Sequence, residues 1–464
     1  MTAAALAAVC GLALPATAAR AGTSGYAPPA AEWWMTSWSV PQQVWPVTQG
    51  AGTTVAVLDS GVAATAPDLK GTVLAGTDTV TPGGDGDRDY APAPGHGTLS
   101  AEMIAGQGTG GGPVGLAPRA RILPVRVDGP GPASPASVPA GIRYAVQHGA
   151  SVISLSFGIR YQSATFCEPP VQAAVSYALA HNVVVVADAG DASPGSKGLV
   201  EPASCSGALA VGGIEPTGKL WAHSTLAPYV SVAAPADRVP VTGPAGQPGT
   251  ASGTSYSASL VAATAALIRS RYPKMPWYRV DQRIIGTTAS VPPAENNDYG
   301  FGYGYGILNV AHAVNASKYP VPASAPNPPY IRYVAWLNTM NGQAWAQANG
   351  VTVPAPGGVS GNSGSTTLPA QVRKLLTRGH LLAGGVIAAI VVLVLTAALL
   401  LILRARRKRR LAGPADPAWP AGVPGSPDAP SAFETPEAFP VPVPDTEAEP
   451  EAETAQRPQD SPGT

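Results

Sequence analysis

Three short segments each present a residue type suited to nucleophilic hydrolysis, together with the backbone that would aim it. In Val55-Ala56-Val57-Leu58-Asp59-Ser60-Gly61 an apolar run ends in a carboxylate and a turn. Gly95-His96-Gly97-Thr98 opens the apolar-periodic stretch Leu99 to Ala105, which puts an imidazole at a helix start between two residues that lack side chains. Gly253-Thr254-Ser255-Tyr256-Ser257-Ala258 puts a hydroxyl at the start of another helix, where free N–H groups and the positive end of the helix dipole stabilise a developing oxyanion. A serine hydroxyl is a weak nucleophile unless an imidazole takes its proton and a carboxylate holds that imidazole in the right tautomer. Alone, each segment has an ordinary structural use as a turn cap, a Gly-rich bend or a helix N-cap. Together they supply a nucleophile, a base and an orienter: Ser255, His96 and Asp59.

Positioning these groups requires a sheet whose strands end on one side and helices that begin there. From Gly52 to about Ser317 short Val/Ile/Ala-rich runs alternate with helix-length apolar patterns, as in a parallel sheet covered by helices. The pattern predicts strands at Thr54–Leu58, Arg121–Val127, Val152–Ser156, Val183–Ala187 and Leu209–Val211, and helices at Pro139–His148, Pro169–His181 and Ser255–Arg271. Two glycine-rich stretches, Thr81–Gly97 and Gly106–Gly115, read as surface loops. Within the first, Asp85, Asp87 and Asp89 stand at alternate positions, compatible with a Ca²⁺ loop. The remaining ligands of such a motif are missing, so a solvated loop is expected and no metal or cofactor is assigned.

In the order Asp59, His96, Ser255 the three contexts resemble the subtilase family of serine proteases, whose triad runs in that order. Val152-Ile153-Ser154-Leu155-Ser156-Phe157-Gly158 is similar to the family strand that binds substrate backbone and walls the first specificity pocket, which implies substrate-binding roles for Ser156, Phe157 and Gly158. Tyr303-Gly304-Tyr305-Gly306-Ile307-Leu308-Asn309 resembles the family's closing segment, so the likeness covers about residues 40 to 317. It implies an α/β fold with a mostly parallel sheet and helices on both faces. One departure concerns the oxyanion. Where the family has Ala-Gly-Asn, this chain reads Ala189-Gly190-Asp191. An ionised Asp191 has no hydrogen to donate, and losing one such donor costs about 10²- to 10³-fold in turnover. Tyr256 and Ser259 also replace the small or apolar residue and the proline that are commoner there.

The ends of the chain set a compartment. Residues 1–19 are uncharged, Ala-rich and finish in Ala16-Thr17-Ala18-Ala19, the pattern of a secretory signal apart from the missing early Lys or Arg. Leu381 to Leu403 is a run of 23 residues without a charge; at about 1.5 Å per residue it exceeds the roughly 30 Å hydrocarbon core. It ends in Arg404-Ala405-Arg406-Arg407-Lys408-Arg409-Arg410, so the positive-inside rule makes residues 404–464 cytoplasmic and residues 20–380 extracytoplasmic. The expected order is a signal (1–19), an N-terminal extension (20–50), the protease domain (51–318), a Pro/Gly/Ser-rich linker (319–380), a transmembrane helix (381–403) and a disordered tail (404–464), basic and then acidic and Pro-rich. With Cys10 leaving in the signal, Cys167 and Cys205 remain as an even pair in an oxidising compartment, either as a disulfide or as two buried thiols.

The whole chain of 464 residues has 28 Lys+Arg against 28 Asp+Glu, with 45% hydrophobic and only 12% charged residues. That composition excludes disorder throughout, and with no basic stripe it gives no nucleic-acid face. With 53 Gly and 51 Pro, a helical bundle is excluded too. Among subtilases the layout resembles the mycosins, membrane-anchored serine proteases associated with type VII secretion in actinobacteria. The likeness includes the short Trp-bearing extension (Trp33, Trp34, Trp38, Trp45). The resemblance implies a serine endopeptidase acting on exported polypeptides beside a type VII membrane complex, tethered by one helix. The alternative, favoured by Asp191, is a protease-fold scaffold with little or no catalysis.

Overall fold

In the computed structural model, residues 26–354 are described apart from 82, 93–94, 129–135, 161–166, 194–198 and 292–298. In chain order the elements are α1 (Trp33–Ser37), β1 (Thr54–Asp59), β2 (Thr77–Asp78), α2 (His96–Ala105), β3 (Arg121–Arg126), α3 (Ser137–Gln147), β4 (Val152–Leu155), β5 (Ile159–Arg160), α4 (Pro169–Ala180) and β6 (Val184–Asp188). There follow β7 (Val200–Glu201), β8 (Leu209–Ile214), β9 (Val230–Pro235), β10 (Val239–Val241), β11 (Gly249–Ala251), α5 (Thr254–Arg271), α6 (Trp277–Gly286), α7 (Tyr299–Tyr303), α8 (Val310–Val314), α9 (Pro328–Leu337) and α10 (Met340–Ala348).

Seven strands form one sheet in the order β2-β3-β1-β4-β6-β8-β9, every neighbouring pair parallel. The central strands are buried on both faces: Val55, Ala56, Val57 and Leu58 of β1 and Val184, Val185, Val186 and Ala187 of β6 are fully enclosed. That is why they read as continuous apolar runs rather than alternating ones. Across the sheet lies α5, buried from Thr254 through Arg269. Its side chains are mostly Ala, Ser and Thr, short enough to let it pack at once on β4, β6, β8, β9 and α2. The chain leaves β1 towards β3 on one side and continues to β4 on the other, so a crevice opens at the carboxyl ends of these strands, where ligands bind in such sheets.

All five predicted strands and all three predicted helices occur, with ends shifted by up to three residues. The Cys167–Cys205 disulfide forms, with a Cα–Cα distance of 4.9 Å, and fastens the start of α4 to the turn after β7. In the extension, Trp34, Trp38 and Trp45 are buried in the common core; the Trp45 indole N–H donates to Leu116 O at 3.0 Å, and Glu32 accepts from Val114 N–H at 3.1 Å. Burial, partly offset by that bond and reinforced by Asp68, holds the Glu32 carboxyl well above the usual carboxylate range.

The linker is a correction. Residues 319–354 are not simply Pro/Gly/Ser-rich linker, since α9 and α10 lie within them. Asn327 caps the first by accepting from Tyr330 N–H, and Thr339 caps the second by accepting from Gly342 N–H. Tyr333, Val334 and Leu337 are buried, Tyr333 edge-on to Trp277 with ring centroids 5.6 Å apart. Pro328 and Pro329, which read as breakers, sit in the first turn of α9, where a missing N–H costs nothing. The expected signal, most of the linker beyond 354, the membrane span and the tail lie outside the described residues. Among the described residues no helix is long and apolar enough to cross a membrane.

Candidate active site

The carboxyl ends of β1, β4 and β6 and the first turns of α2 and α5 converge on a cleft of about 630 Å³ lined by Asp59, His96, Ser156, Phe157, Gly158, Asp188, Asp191 and Ser255, among others. Every residue singled out from the sequence for catalysis or substrate binding lines it.

Asp59 ends β1 almost wholly buried. Its Oδ1 accepts from Ser60 N–H at 2.7 Å, and its Oδ2 accepts from Ser100 Oγ at 3.1 Å. His96 Nδ1 lies 2.8 Å from Oδ1. With the carboxyl already accepting from these groups, the proton of that last bond belongs on Nδ1, which leaves Nε2 as the basic nitrogen. The approach depends on Gly97, because a Cβ there would lie 2.1 Å from Gly61 O and 3.0 Å from Asp59 Cβ, so only glycine lets α2 begin this close to the end of β1. Burial alone would push the imidazole down. The charge and hydrogen bond of Asp59, then the charges of Asp188 and Asp89, outweigh that effect and hold it at about 9.

Asp89 was expected in a solvated loop, yet it is turned inward. Its Oδ2 accepts from Thr98 N–H and Thr98 Oγ1, both at 2.7 Å, and its Oδ1 accepts from Ser60 Oγ at 2.8 Å and Ala91 N–H at 3.0 Å. It therefore ties the first turn of α2, which carries His96, to the residue after Asp59.

Ser255, the second residue of α5, is 6% exposed, and its Oγ donates to Ser156 O at 2.9 Å. The Ser156 hydroxyl in return donates to Ser255 O at 3.3 Å, so backbone and side chain of Ser156 both hold the start of α5. The Ser259 hydroxyl also donates to Ser255 O, at 3.0 Å. The Tyr256 ring stands with its centroid 6.0 Å from that of His96, and burial, then the charge of Asp59, raises its phenol above the ordinary value.

Asp191 lines the cleft, but its Oδ1 is engaged with the helix: it accepts from Thr254 N–H at 2.9 Å and Thr254 Oγ1 at 2.8 Å, a carboxylate cap on the positive end of α5. Asp188 is not part of the motifs singled out in the sequence. It ends β6 at 3% exposure with Oδ2 3.2 Å from Thr254 Oγ1 and 3.4 Å from Ser255 Oγ. Burial first, then the charge of Asp191, lifts this carboxyl to about 7, with His96 pulling the other way. The signal available in sequence was an acid ending an otherwise apolar strand, as in β1.

Gly158, Gly190 and Val200 line the cleft together with Ser255. A Cβ on Gly158 would lie 2.3 Å from Val200 Cγ1, and one on Gly190 2.9 Å from Val200 Cγ2. Val200 therefore stands directly against both glycines and closes the slot between the β4 extension and the loop after β6. Four of the lining residues are Asp59, Asp128, Asp188 and Asp191, and none of the described lining residues is Lys or Arg. None comes from the N-terminal extension either, so the described part of that extension does not plug the site.

The subtilase family (Peptidase S8) matches residues 50–304. Thermitase of Thermoactinomyces vulgaris is 38% identical over 231 residues, covering 49% of this chain and 79% of the relative. Mycosin-1 of Mycobacterium tuberculosis is 32% identical over 331 residues, covering 60% and 72%. Among solved structures, a serine protease MycP1, described as an essential component of the type VII (ESX-1) secretion system, aligns with a TM-score of 0.53 at 30% identity over 63% of this chain and 89% of that one. With its parallel sheet, its Asp59–His96 pair and its serine at the head of α5, the chain belongs to the subtilase family of serine peptidases.

Proposed function

We propose that the protein is a serine endopeptidase in which Ser255 is the nucleophile, His96 the general base and Asp59 the group that orients and stabilises the imidazolium. The observation that carries this reading is the 2.8 Å Asp59–His96 bond in a cleft that also holds Ser255 at a helix start. In the reaction His96 Nε2 takes the Ser255 proton as Oγ bonds to the peptide carbonyl carbon, then returns it to the leaving amine. The Ser255 backbone N–H and the N-terminus of α5 face the developing charge. The backbone of residues 156–158 aligns the substrate chain, and the slot over Val200 receives a small side chain.

Cleavage of a peptide library by the full chain tests this. Ser255→Ala and His96→Ala should each lower turnover by about 10⁴-fold or more, whereas cleavage that survives Ser255→Ala would refute it. The finer reading places the enzyme outside the cytoplasmic membrane, held by residues 381–403 with residues 404–464 inside, acting on exported polypeptides at a type VII secretion complex. It is supported by the charge asymmetry about that run and by the likeness to Mycosin-1 and MycP1. Protease added to intact cells should remove the globular region and spare an epitope placed after Thr464; loss of the epitope would overturn the orientation. The rival, a scaffold with little catalysis, draws on the absence of an amide side chain at Asp191. Folded protein that supports secretion equally well as Ser255→Ala would favour it.

A further inference from the structure

We propose that Asp188 is a catalytic group: as a carboxylic acid it faces Ser255 Oγ with a hydrogen to donate, and loss of that proton sets a carboxylate against the nucleophile and slows its attack. The proposal rests on the serine-peptidase reading above and adds to it a residue that the triad does not contain.

The hydrogens around Thr254 and Ser255 carry the argument. Thr254 Oγ1 has one hydrogen and faces two carboxyl oxygens, Asp191 Oδ1 at 2.8 Å and Asp188 Oδ2 at 3.2 Å. Ser255 Oγ likewise has one hydrogen, facing Ser156 O at 2.9 Å and Asp188 Oδ2 at 3.4 Å. The shorter contact takes the hydrogen in each case, so Thr254 donates to Asp191 and Ser255 to Ser156. With Asp188 ionised, its Oδ2 would then face two lone pairs with no hydrogen between. A proton on Oδ2 removes that repulsion: Asp188 then has one hydrogen, which it donates to Thr254 Oγ1 at 3.2 Å or to Ser255 Oγ at 3.4 Å, or shares between them. The other oxygen, Oδ1, is buried without a hydrogen-bond partner, as a neutral carboxyl tolerates and a carboxylate does not. Burial and the Asp191 charge favour the same form.

The groups facing Asp188 are His96 on α2, Asp59 at the end of β1, Asp191 in the loop after β6, and Thr254 and Ser255 on α5. Among them the only cation is His96 when protonated. Asp188 and His96 are therefore coupled through one proton. With Asp188 at about 7 and His96 at about 9, that proton rests mostly on His96 between those values; the productive site is the minor form that holds it on Asp188, leaving His96 neutral to accept from Ser255. Shifted to His96, it leaves a carboxylate against the nucleophile and an imidazolium that accepts nothing. In the attack the Ser255 proton moves to His96 Nε2, the Oγ–C bond forms, and the carbonyl π pair becomes the oxyanion. Asp188 donates a hydrogen bond throughout and keeps its proton.

The test follows the rate of Ser255 labelling by a fluorophosphonate, and of peptide hydrolysis, against pH in the full chain, for wild type, Asp188→Asn, Asp188→Ala and Ser255→Ala. Wild type should give a bell with limbs near 7 and 9. Asp188→Asn keeps a neutral donor that does not titrate, so it should lose the alkaline limb, show a single acid limb between about 7 and 9, where His96 titrates once it has lost a negative neighbour, and exceed wild type at pH 9 by about 10- to 100-fold. Asp188→Ala should lack the same limb at a lower plateau, which keeps the test open if one variant folds poorly. Labelling of wild type with profiles that coincide in all Asp188 variants overturns this inference and leaves the peptidase reading intact. Labelling that survives Ser255→Ala overturns the peptidase reading itself.

Discussion

Asp89→Ala removes a positioning residue that touches no substrate, so its effect separates architecture from chemistry. Two of the four bonds it accepts cap α2 through Thr98, and a third holds Ser60 beside Asp59. Loss of a helix cap costs about 1 kcal/mol, and bonds to a charged acceptor contribute about 1.5 to 3 kcal/mol, partly recovered because water reaches this loop. A destabilisation of about 2 to 4 kcal/mol follows, and at about 2.1 cal/mol/K of unfolding entropy per residue over roughly 300 residues it lowers Tm by roughly 3 to 6 °C. The first turn of α2 should then drift from β1, lengthening the 2.8 Å Asp59–His96 bond; a misplacement on the order of 1 Å costs about 10²-fold in kcat, with KM little changed. Asp89 also holds the His96 imidazole up, so the acid limb of activity should move to lower pH. Thermal melts and kcat–pH profiles of wild type, Asp89→Ala and Asp89→Asn would read this, the Asn variant falling between. Tm and kcat both within error of wild type in Asp89→Ala would refute the reasoning.

The disulfide bridges residues 38 apart, so reduction or Cys167→Ser with Cys205→Ser should cost about 4 kcal/mol by restriction of the unfolded chain; unfolding in denaturant measures it, and an unchanged midpoint would contradict it. Stability should fall as pH rises. Burial holds the Asp68 and Glu201 carboxyls at about 7 and raises Glu32, Glu102 and Asp281 as well, so over pH 4 to 7 the unfolded chain gives up protons that the folded one keeps. His96, held at about 9, acts in the same direction up to that pH. One carboxyl lifted from 3.8 to about 7 is worth about 4 kcal/mol at full effect, so Tm at pH 5 should exceed Tm at pH 8 by about 5 °C or more; an equal or higher Tm at pH 8 would contradict this. Val200→Ala should deepen the slot against Gly158 and Gly190 and shift cleavage towards larger residues before the scissile bond, by roughly 10-fold per added methylene or two; an unchanged preference would show that Val200 does not set it.

What was legible in the sequence was whatever chain neighbours decide. Four apolar residues followed by Asp59 announce a buried strand and its carboxylate; Gly-His-Gly announces a close helix start, and the 2.1 Å approach that a Gly97 Cβ would make to Gly61 O shows why. What was not legible depends on distant partners. Asp89 reads as one of three alternating acids until the fold brings Thr98 and Ser60 to it. Asp191 reads as a substituted oxyanion donor until α5 places the Thr254 N–H and hydroxyl on it. Val230–Pro235, an edge strand with a serine inside and a proline at its end, gave too short an apolar run to mark. The helices at 328–337 and 340–348 carry two prolines, a glycine and an asparagine, and only the Trp277 ring, which Tyr330 and Tyr333 of the first helix meet edge-on, makes that helix part of the packed unit.

The claim beneath all of this is that Ser255 is an activated nucleophile. Intact-mass and peptide mapping of the full chain after treatment with a fluorophosphonate tests it directly. The account predicts a single adduct on Ser255, slowed by at least about 10³-fold in His96→Ala and absent in Ser255→Ala. Folded protein that takes up no adduct at any pH between 5 and 10, or takes it up at another residue, would contradict it.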